Sequence, residues 1–295
     1  MKATLEEFLT LFSTEEAVAR DVRATCEAMA ADEGLTEELN TLRAAMPTVG
    51  TVDYRASLER IRAHAARIGQ HPYTVQLVAM MLLAVDARAR YRAEGLSNAL
   101  WEDTMRDILY KCTECRLVHG ITGTFVPEWF EWFFTLRRFT FGRLQFECIK
   151  GREDYTLADT VVRADEWRIN IHIPRTGTPM SPEAVDRALS QAAAFFGERQ
   201  GLSRIIFEIH SWLLYPAHET MLGDRSNIKH FMHRFTTVAS GDYADYSQLW
   251  RLFDKNYEGD PDALPADSSM RRAYIARVKR GEPIGWGYGI FVYHA

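Results

Sequence analysis

From residue 1 to about 134, apolar side chains recur at helical spacing. Leu5, Phe8, Leu9 and Phe12 fall on one face of a first helix. Thr4-x-x-Glu7 and Ser13-x-x-Glu16 each have the capping-box pattern, in which a hydroxyl and a carboxylate take the free N–H groups of a helix start. Residues 57–68 and 73–91 predict further helices. The most apolar run, 73–85, is well short of the ~20 residues that span a bilayer and predicts a buried helix. Ser97 is a candidate N-cap for a helix that turns Leu100, Met105, Ile108, Leu109 and Cys112 inward. Pro127 suits the first turn of a short aromatic helix, PEWFEWFF.

Near Arg137 the rhythm shortens to alternation. Phe141, Leu144, Phe146 and Cys148 predict strand, with Arg143, Gln145 and Glu147 on the opposite face. Residues 160–163 predict another short strand. In WRINIHIP, Ile169, Ile171 and Ile173 point one way and Arg168, Asn170 and His172 the other, until Pro174 ends the run. After residues 175–180, Ser181 is a candidate N-cap and Pro182 a first helical residue. Val185, Leu189, Ala192 and Phe196 form the buried stripe, and Gly197 is a candidate stop. RIIFEIHSWLL predicts a strand with Glu208, His210 and Trp212 on one side. Helices are expected at 227–235, 250–253 and 269–278, and GWGYGIFVY closes the chain as a strand.

This pattern yields two candidate pieces of chemistry. The strand–loop–helix unit at 168–196 presents a helix N-terminus, whose unsatisfied N–H groups and positive partial charge favour a phosphate. Gly177 lets a ligand approach the backbone and Arg175 supplies a cation; the same geometry is also an ordinary strand-to-helix connection. Gly-Lys-Ser/Thr and Gly-x-Gly-x-x-Gly are both absent. The second piece is the polar face of two central strands, where a histidine or carboxylate can deprotonate an amine, unless that face is simply solvated. Cys112-x-x-Cys115 with His119 lacks a second Cys/His pair and reads as helical core rather than a zinc site. Gly285-Trp286-Gly287-Tyr288-Gly289 reads as a strand whose glycines admit another backbone or a ligand.

Composition narrows the classes. Of 295 residues, 47% are hydrophobic and 25% charged, enough for full cores. A net charge of -5 without a basic block argues against a general nucleic-acid binder. Four cysteines are too few for a disulfide scaffold. The acid-bearing start MKATLEEFLTLF has no signal-peptide pattern, so a cytoplasmic, membrane-free protein is expected.

RLQFE at 143–147, INIHIP at 169–174, HSWLL at 210–214, SNIKHF at 226–231 and the terminal IGWGYGIF resemble bacterial two-domain acyltransferase-domain proteins. Those carry a helical N-terminal domain and a C-terminal domain similar to the GNAT superfamily of N-acyltransferases. The resemblance implies an α+β chain: an all-helical domain over 1–135, then a GNAT-like mixed-sheet domain over 136–295. It implies that loop 175–181 holds the pyrophosphate of acetyl-CoA or another acyl-CoA, and that two strands splay to admit the pantetheine arm. The implied CoA contacts are Ile173, Arg175, Gly177, Thr178, Met180, Ser181 and Asn227. Glu208, His210 and His172 are the candidate catalytic groups, with backbone N–H groups of the central strand polarising the thioester.

The implied activity is acyl transfer from a CoA thioester to a small-molecule amine or a peptide, without a metal. The alternatives are a catalytically inactive GNAT-like ligand-binding or sensing module, and a thioester hydrolase; oligomeric state stays open. Two departures bear on this. The family loop is Gln/Arg-x-x-Gly-x-Gly/Ala, whereas Gly177 comes one place early and Met180 replaces the last small residue. Arg234 stands where the family often has a tyrosine acid, and a guanidinium cannot serve. That leaves His230, His233, Tyr243 or Tyr246 for the role.

Overall fold

The computed structural model describes residues 1–46, 53–158 and 160–294. They form two compact units, 1–140 and 141–295.

The first unit is helical: α1 (Lys2–Leu11), α2 (Glu16–Ala30), α3 (Glu33–Ala45), α4 (Tyr54–Arg67), α5 (Pro72–Ala93), α6 (Asn98–Met105), α7 (Asp107–His119) and the short α8 (Glu131–Phe134). Helix α5 is its axis. Every residue from Thr74 to Ala84 is buried, so this helix is apolar all round and others pack on each side of it. Its start is fixed by Pro72 in the first turn and by His71, whose Nδ1 accepts from the Tyr73 N–H at 3.1 Å. No helix among the described residues is long and apolar enough to cross a membrane.

Several predicted helix ends move. Neither capping box forms: α1 begins on the Met1 carbonyl without a side-chain cap, and Ser13 turns at φ 47° ahead of α2. Helix α4 starts a turn early because Asp53 accepts from the Ala56 N–H at 2.9 Å. Ser97 does cap α6, accepting from Leu100 N–H at 3.1 Å, but the helix breaks at Arg106 and restarts as α7.

The second unit is built on a mixed six-stranded sheet. Its strands are β1 (Arg138–Phe141), which leads in from the first unit, β2 (Leu144–Lys150), β5 (Trp167–His172), β6 (Ile205–Ser211), β7 (Thr236–Asp242) and β8 (Gly285–Tyr293), in the order β1-β2-β5-β6-β8-β7. A separate hairpin pairs β3 (Tyr155–Thr156) with β4 (Val161–Val162). Strands β5 and β6 are parallel, linked by α9 (Pro182–Gln200), and the other described pairings in the sheet are antiparallel. Four shorter helices complete the unit: α10 (His218–Met221), α11 (Asn227–Met232), α12 (Trp250–Phe253) and α13 (Ser269–Lys279).

Helix α9 begins as predicted, with Ser181 accepting from the Ala184 N–H at 3.3 Å. It runs through Gly197 and stops at Gly201, whose φ of 61° suits a glycine. RIIFEIHSWLL is strand only to Ser211; Trp212 opens a 3-10 turn and so leaves the face it was predicted to share with Glu208 and His210. The glycines of β8 make room for neighbouring parts of the chain: a Cβ on Gly287 would collide with the Leu214 carbonyl, and one on Gly289 with the side chains of Leu214 and Phe235.

Behind that turn, His218 is fully buried. Its Nδ1–H donates to the Leu213 carbonyl at 3.0 Å, and its Nε2 accepts from the Tyr274 hydroxyl at 2.6 Å. Burial pushes the His218 pKa below 6.5, which favours the neutral ring in this arrangement.

Two outcomes follow for stability. Gly287→Ala will cost about 2 kcal/mol or more through overpacking, read as a lower denaturation midpoint at unchanged m-value. Because the folded His218 pKa lies below the unfolded value, the unfolded chain takes up more protons between the two. Stability is therefore full above about pH 6.5 and is lost as pH falls through that window. Midpoints measured from pH 8 to 5 will show this slope. His218→Gln, which can keep both hydrogen bonds, will flatten it in part; His210, shifted in the same direction, will contribute the rest.

Candidate active site

Pairing between β5 and β6 runs through Ile169–Phe207 and Asn170–Glu208 and then ends. Strand β5 stays paired to β2 as far as His172–Gln145, and β6 stays paired to β8 as far as Ser211–Gly287. The sheet therefore forks between its two parallel strands. Side chains alternate, so Asn170, His172, Glu208 and His210 lie on one face. His172 and His210 stand on opposite arms of the fork, just beyond the last shared pair.

That face is polar, buried at Glu208 and on its β2 side and exposed at His210. Gln145 is 1% and Glu147 4% exposed. On one arm, Glu147 Oε1 accepts from Asn170 Nδ2 at 3.0 Å and lies 3.1 Å from His172 Nε2. Asn170 Nδ2 also lies 3.2 Å from His172 Nε2, so amide, carboxylate and imidazole form one contact cluster. On the other arm, the His210 ring is exposed at its edge and lies against Trp286, centroids 4.5 Å apart and 30° between planes. Desolvation there lowers the His210 pKa and outweighs a backbone hydrogen bond acting in the opposite direction.

Glu208 sits at the root of the fork, buried, with one carboxylate oxygen doubly engaged. Its Oε2 accepts from the Tyr288 hydroxyl at 2.6 Å and from Arg168 Nη1 at 3.3 Å. Burial and the adjacent carboxylate push the Tyr288 phenol well above its ordinary pKa, so it stays protonated.

The loop after β5 leads into α9. Gly177 is exposed with φ 75°, and Thr178 is exposed beside it. Ile173 and Ser181 are half-buried, whereas Met180 is buried and anchors the loop from beneath. The loop is braced by Arg143, which donates to the Pro174 carbonyl at 2.7 Å and the Thr178 carbonyl at 3.0 Å. The Thr178 N–H is taken by Thr176 Oγ1 at 3.2 Å.

Arg175 is not a free cation over the loop. It makes a two-pronged ion pair with Asp254, one arm at 2.8 Å, and Arg271 shares that carboxylate at 2.7 Å. At the first turn of α9, the Glu183 carboxylate is held below its usual pKa by its own N–H and by Ser181. It occupies the helix end where a phosphate would sit. Asn227 is half-buried at the first residue of α11, after the N-cap Ser226.

Most of the candidates for a proton donor are held by other partners. Arg234 is paired with Asp186 at 2.5 Å, His233 with Glu219 at 2.8 Å, and Tyr246 donates to the Glu282 carbonyl at 2.9 Å. His230 is exposed on α11. Tyr243 lines a small apolar cavity with Trp212, Leu249 and Tyr274. Cys112 and Cys115 are buried, and desolvation pushes their thiols up to about 11 and about 12. No group of three His, Cys, Asp or Glu among the described residues is placed to hold a metal.

Sequence reading missed Glu147 and Tyr288. The signal for Glu147 was its alternation with Phe146 and Cys148, which fixed its face but not its burial. For Tyr288 nothing local marked it, because its partner is 80 residues away.

Residues 3–136 match the N-acyltransferase N-terminal domain, and residues 138–291 match the GNAT-like C-terminal domain. No curated protein matches the chain. Among solved structures it is similar to an acyltransferase in complex with decanoyl-CoA and teicoplanin, at 21% identity over 98% of this chain and 99% of that one, with a TM-score of 0.65. A mutant of the acyltransferase orf11* in complex with octanoyl-CoA gives 20%, 97%, 98% and 0.65, and an acyltransferase in complex with decanoyl-CoA gives 17%, 97%, 98% and 0.66. Likeness at these identities speaks for the fold. With the forked sheet inside the matched 138–291, this chain belongs to the two-domain N-acyltransferases that have a GNAT-like C-terminal domain.

Proposed function

We propose that this chain moves an acyl group from a CoA thioester to an amine, with His210 as the base. The observation that carries the reading is the fork, which puts two histidines on either side of a gap next to a loop and a helix N-terminus. The similar acyltransferases were solved with decanoyl-CoA, with octanoyl-CoA, or with teicoplanin also bound. That supports a medium-chain acyl-CoA as donor and a hydroxyl-rich or peptide-borne amine as acceptor.

The thioester carbonyl would lie in the fork, where backbone N–H groups that no longer pair across β5 and β6 can donate to it. The amine nitrogen attacks the carbonyl carbon, and its proton passes to His210. The C–S bond then breaks, and the same proton returns from His210 to the departing CoA thiolate. A base that also serves as the acid removes the need for the absent family tyrosine.

His210 is preferred over Glu208 because the Glu208 carboxylate already serves Arg168 and Tyr288. A lowered pKa keeps its imidazole neutral near pH 7, ready to accept a proton. His172, oriented by Glu147, forms the other wall and orients the acceptor.

In calorimetry, decanoyl-CoA will bind the folded protein; absence of binding at millimolar ligand would sink the proposal. His210→Ala will lower turnover by about 10²–10⁴-fold with the donor dissociation constant little changed. The acid limb of the wild-type pH profile will fall below pH 6.5, the ordinary histidine value, and will vanish in that variant. Donor binding with no turnover across a broad amine panel would instead mark a sensing module. Free CoA released in the absence of any amine would mark a hydrolase.

Pyrophosphate bound at α9 must displace or sit beside the Glu183 carboxylate. Glu183→Gln will therefore tighten CoA binding by roughly two- to fivefold at low salt, with a smaller gain at high salt. Unchanged or weaker binding would place the phosphates elsewhere.

A further inference from the structure

Arg168 is among the largest fully buried side chains, 1% exposed, and the acyl-transfer chemistry above gives it no part. Its guanidinium reaches four partners on three sides. Nη1 donates to Glu208 Oε2 at 3.3 Å on β6 and to the Tyr288 hydroxyl at 3.1 Å on β8. Nη2 donates to the Glu153 carbonyl at 2.6 Å and the Arg163 carbonyl at 3.0 Å, which flank the β3–β4 hairpin on either side. Gly151 lies flat against it, since a Cβ there would collide with the guanidinium carbon. Tyr155 of the hairpin packs on Tyr288, centroids 5.6 Å apart, and closes the remaining side.

The place of this cluster is specific. Glu208 belongs to the last pair that joins β5 to β6, and Arg168 lies two residues before its β5 partner, Asn170. The ion pair thus crosses both strands diagonally at the root of the fork. Strand pairing alone gives no reason to stop there, because both strands continue, each well paired on its other edge.

We infer that the Arg168–Glu208–Tyr288 cluster is the pin that fixes where the sheet forks, making Arg168 a positioning residue for the donor thioester. The pin holds the root closed and the covering hairpin in place. Its location sets how far the thioester can enter and therefore how it lies against His210. Only this kinetic consequence rests on the acyl-transfer reading; the position of the fork does not.

The test is amide hydrogen exchange on the full chain, wild type against Arg168→Met/Glu208→Gln and against Tyr288→Phe. The double variant removes both charges together, so neither is left buried alone. In the wild type, amides facing the β5–β6 gap at 169–170 and 207–208 will be protected and those at 171–172 and 209–211 will not. In the double variant, protection at 169–170 and 207–208 will fall about tenfold or more, while the β6–β8 amides at 287–293 keep theirs. Tyr288→Phe, which keeps the ion pair, will show the same change at smaller size and decides the matter if the double variant does not fold.

Binding supplies the second readout. Affinity for decanoyl-CoA will drop about tenfold in the double variant, while affinity for the adenosine bisphosphate fragment of CoA, which does not reach the fork, stays within about threefold. Protection at the root amides that face the gap within about twofold of wild type in a folded variant would overturn the inference. If wild type binds neither ligand, the acyl-transfer reading fails, and the exchange boundary still decides whether the pin exists.

Discussion

A buried guanidinium is tolerated only where an opposite charge and several hydrogen bonds compensate it, because moving an unpaired charge out of water is prohibitive. Arg168 imposes that condition on the second unit. It needs an acceptor from β6, one from β8 and carbonyls on either side of a hairpin, and it needs a residue without a side chain at Gly151. Segments far apart in the chain are thereby brought to one point. The apolar packing of Leu157 and Val162 on Ile206 and Ile290 then holds the hairpin over the sheet.

The same condition divides labour among the polar residues of the central strands. Two carboxylates are buried there, and each is committed: Glu208 to a guanidinium and a phenol, Glu147 to an amide and an imidazole. With both acids engaged, the two histidines stand on the fork arms, at the gap itself. Their environments differ. His172 leans on a carboxylate, which orients it. His210 lies against an indole, which desolvates it and favours the neutral form. Similar side chains on neighbouring strands are thus fitted to different tasks by what touches them.

Much of this fold was legible because local pattern and tertiary role agree. The run around Val75–Ala84 is apolar on every face and became the axis of the helical unit. Ser181-Pro182 marked the start of α9, and alternation in WRINIHIP marked β5. What local pattern could not carry was pairing. Alternation put Glu147 opposite Phe146, yet only the approach of His172 and Asn170 explains why a carboxylate there can be 4% exposed. Arg175 looked like a phosphate ligand from its place beside Gly177, but its partner Asp254 lies 79 residues on. The two capping boxes failed for a related reason: a hydroxyl at the right spacing does not fix a helix start when the chain can begin earlier, as α1 does on the Met1 carbonyl, or later, as α2 does after Ser13 turns.

The loop at 175–181 has to be understood with these commitments in place. Its arginine is held by Asp254, its Thr178 N–H by Thr176, and its helix end is shadowed by Glu183. Arg143 braces the loop through its carbonyls, and backbone N–H groups around Gly177 and the first turn of α9 are further donors near a pyrophosphate. With Arg175 held by Asp254 and Glu183 at the helix end, a donor bound here would draw less affinity from its phosphates than a free Arg175 would give. That shifts the weight of recognition toward the pantetheine arm and the acyl chain. It fits a site whose precision lies in where two strands part rather than in a cationic cradle.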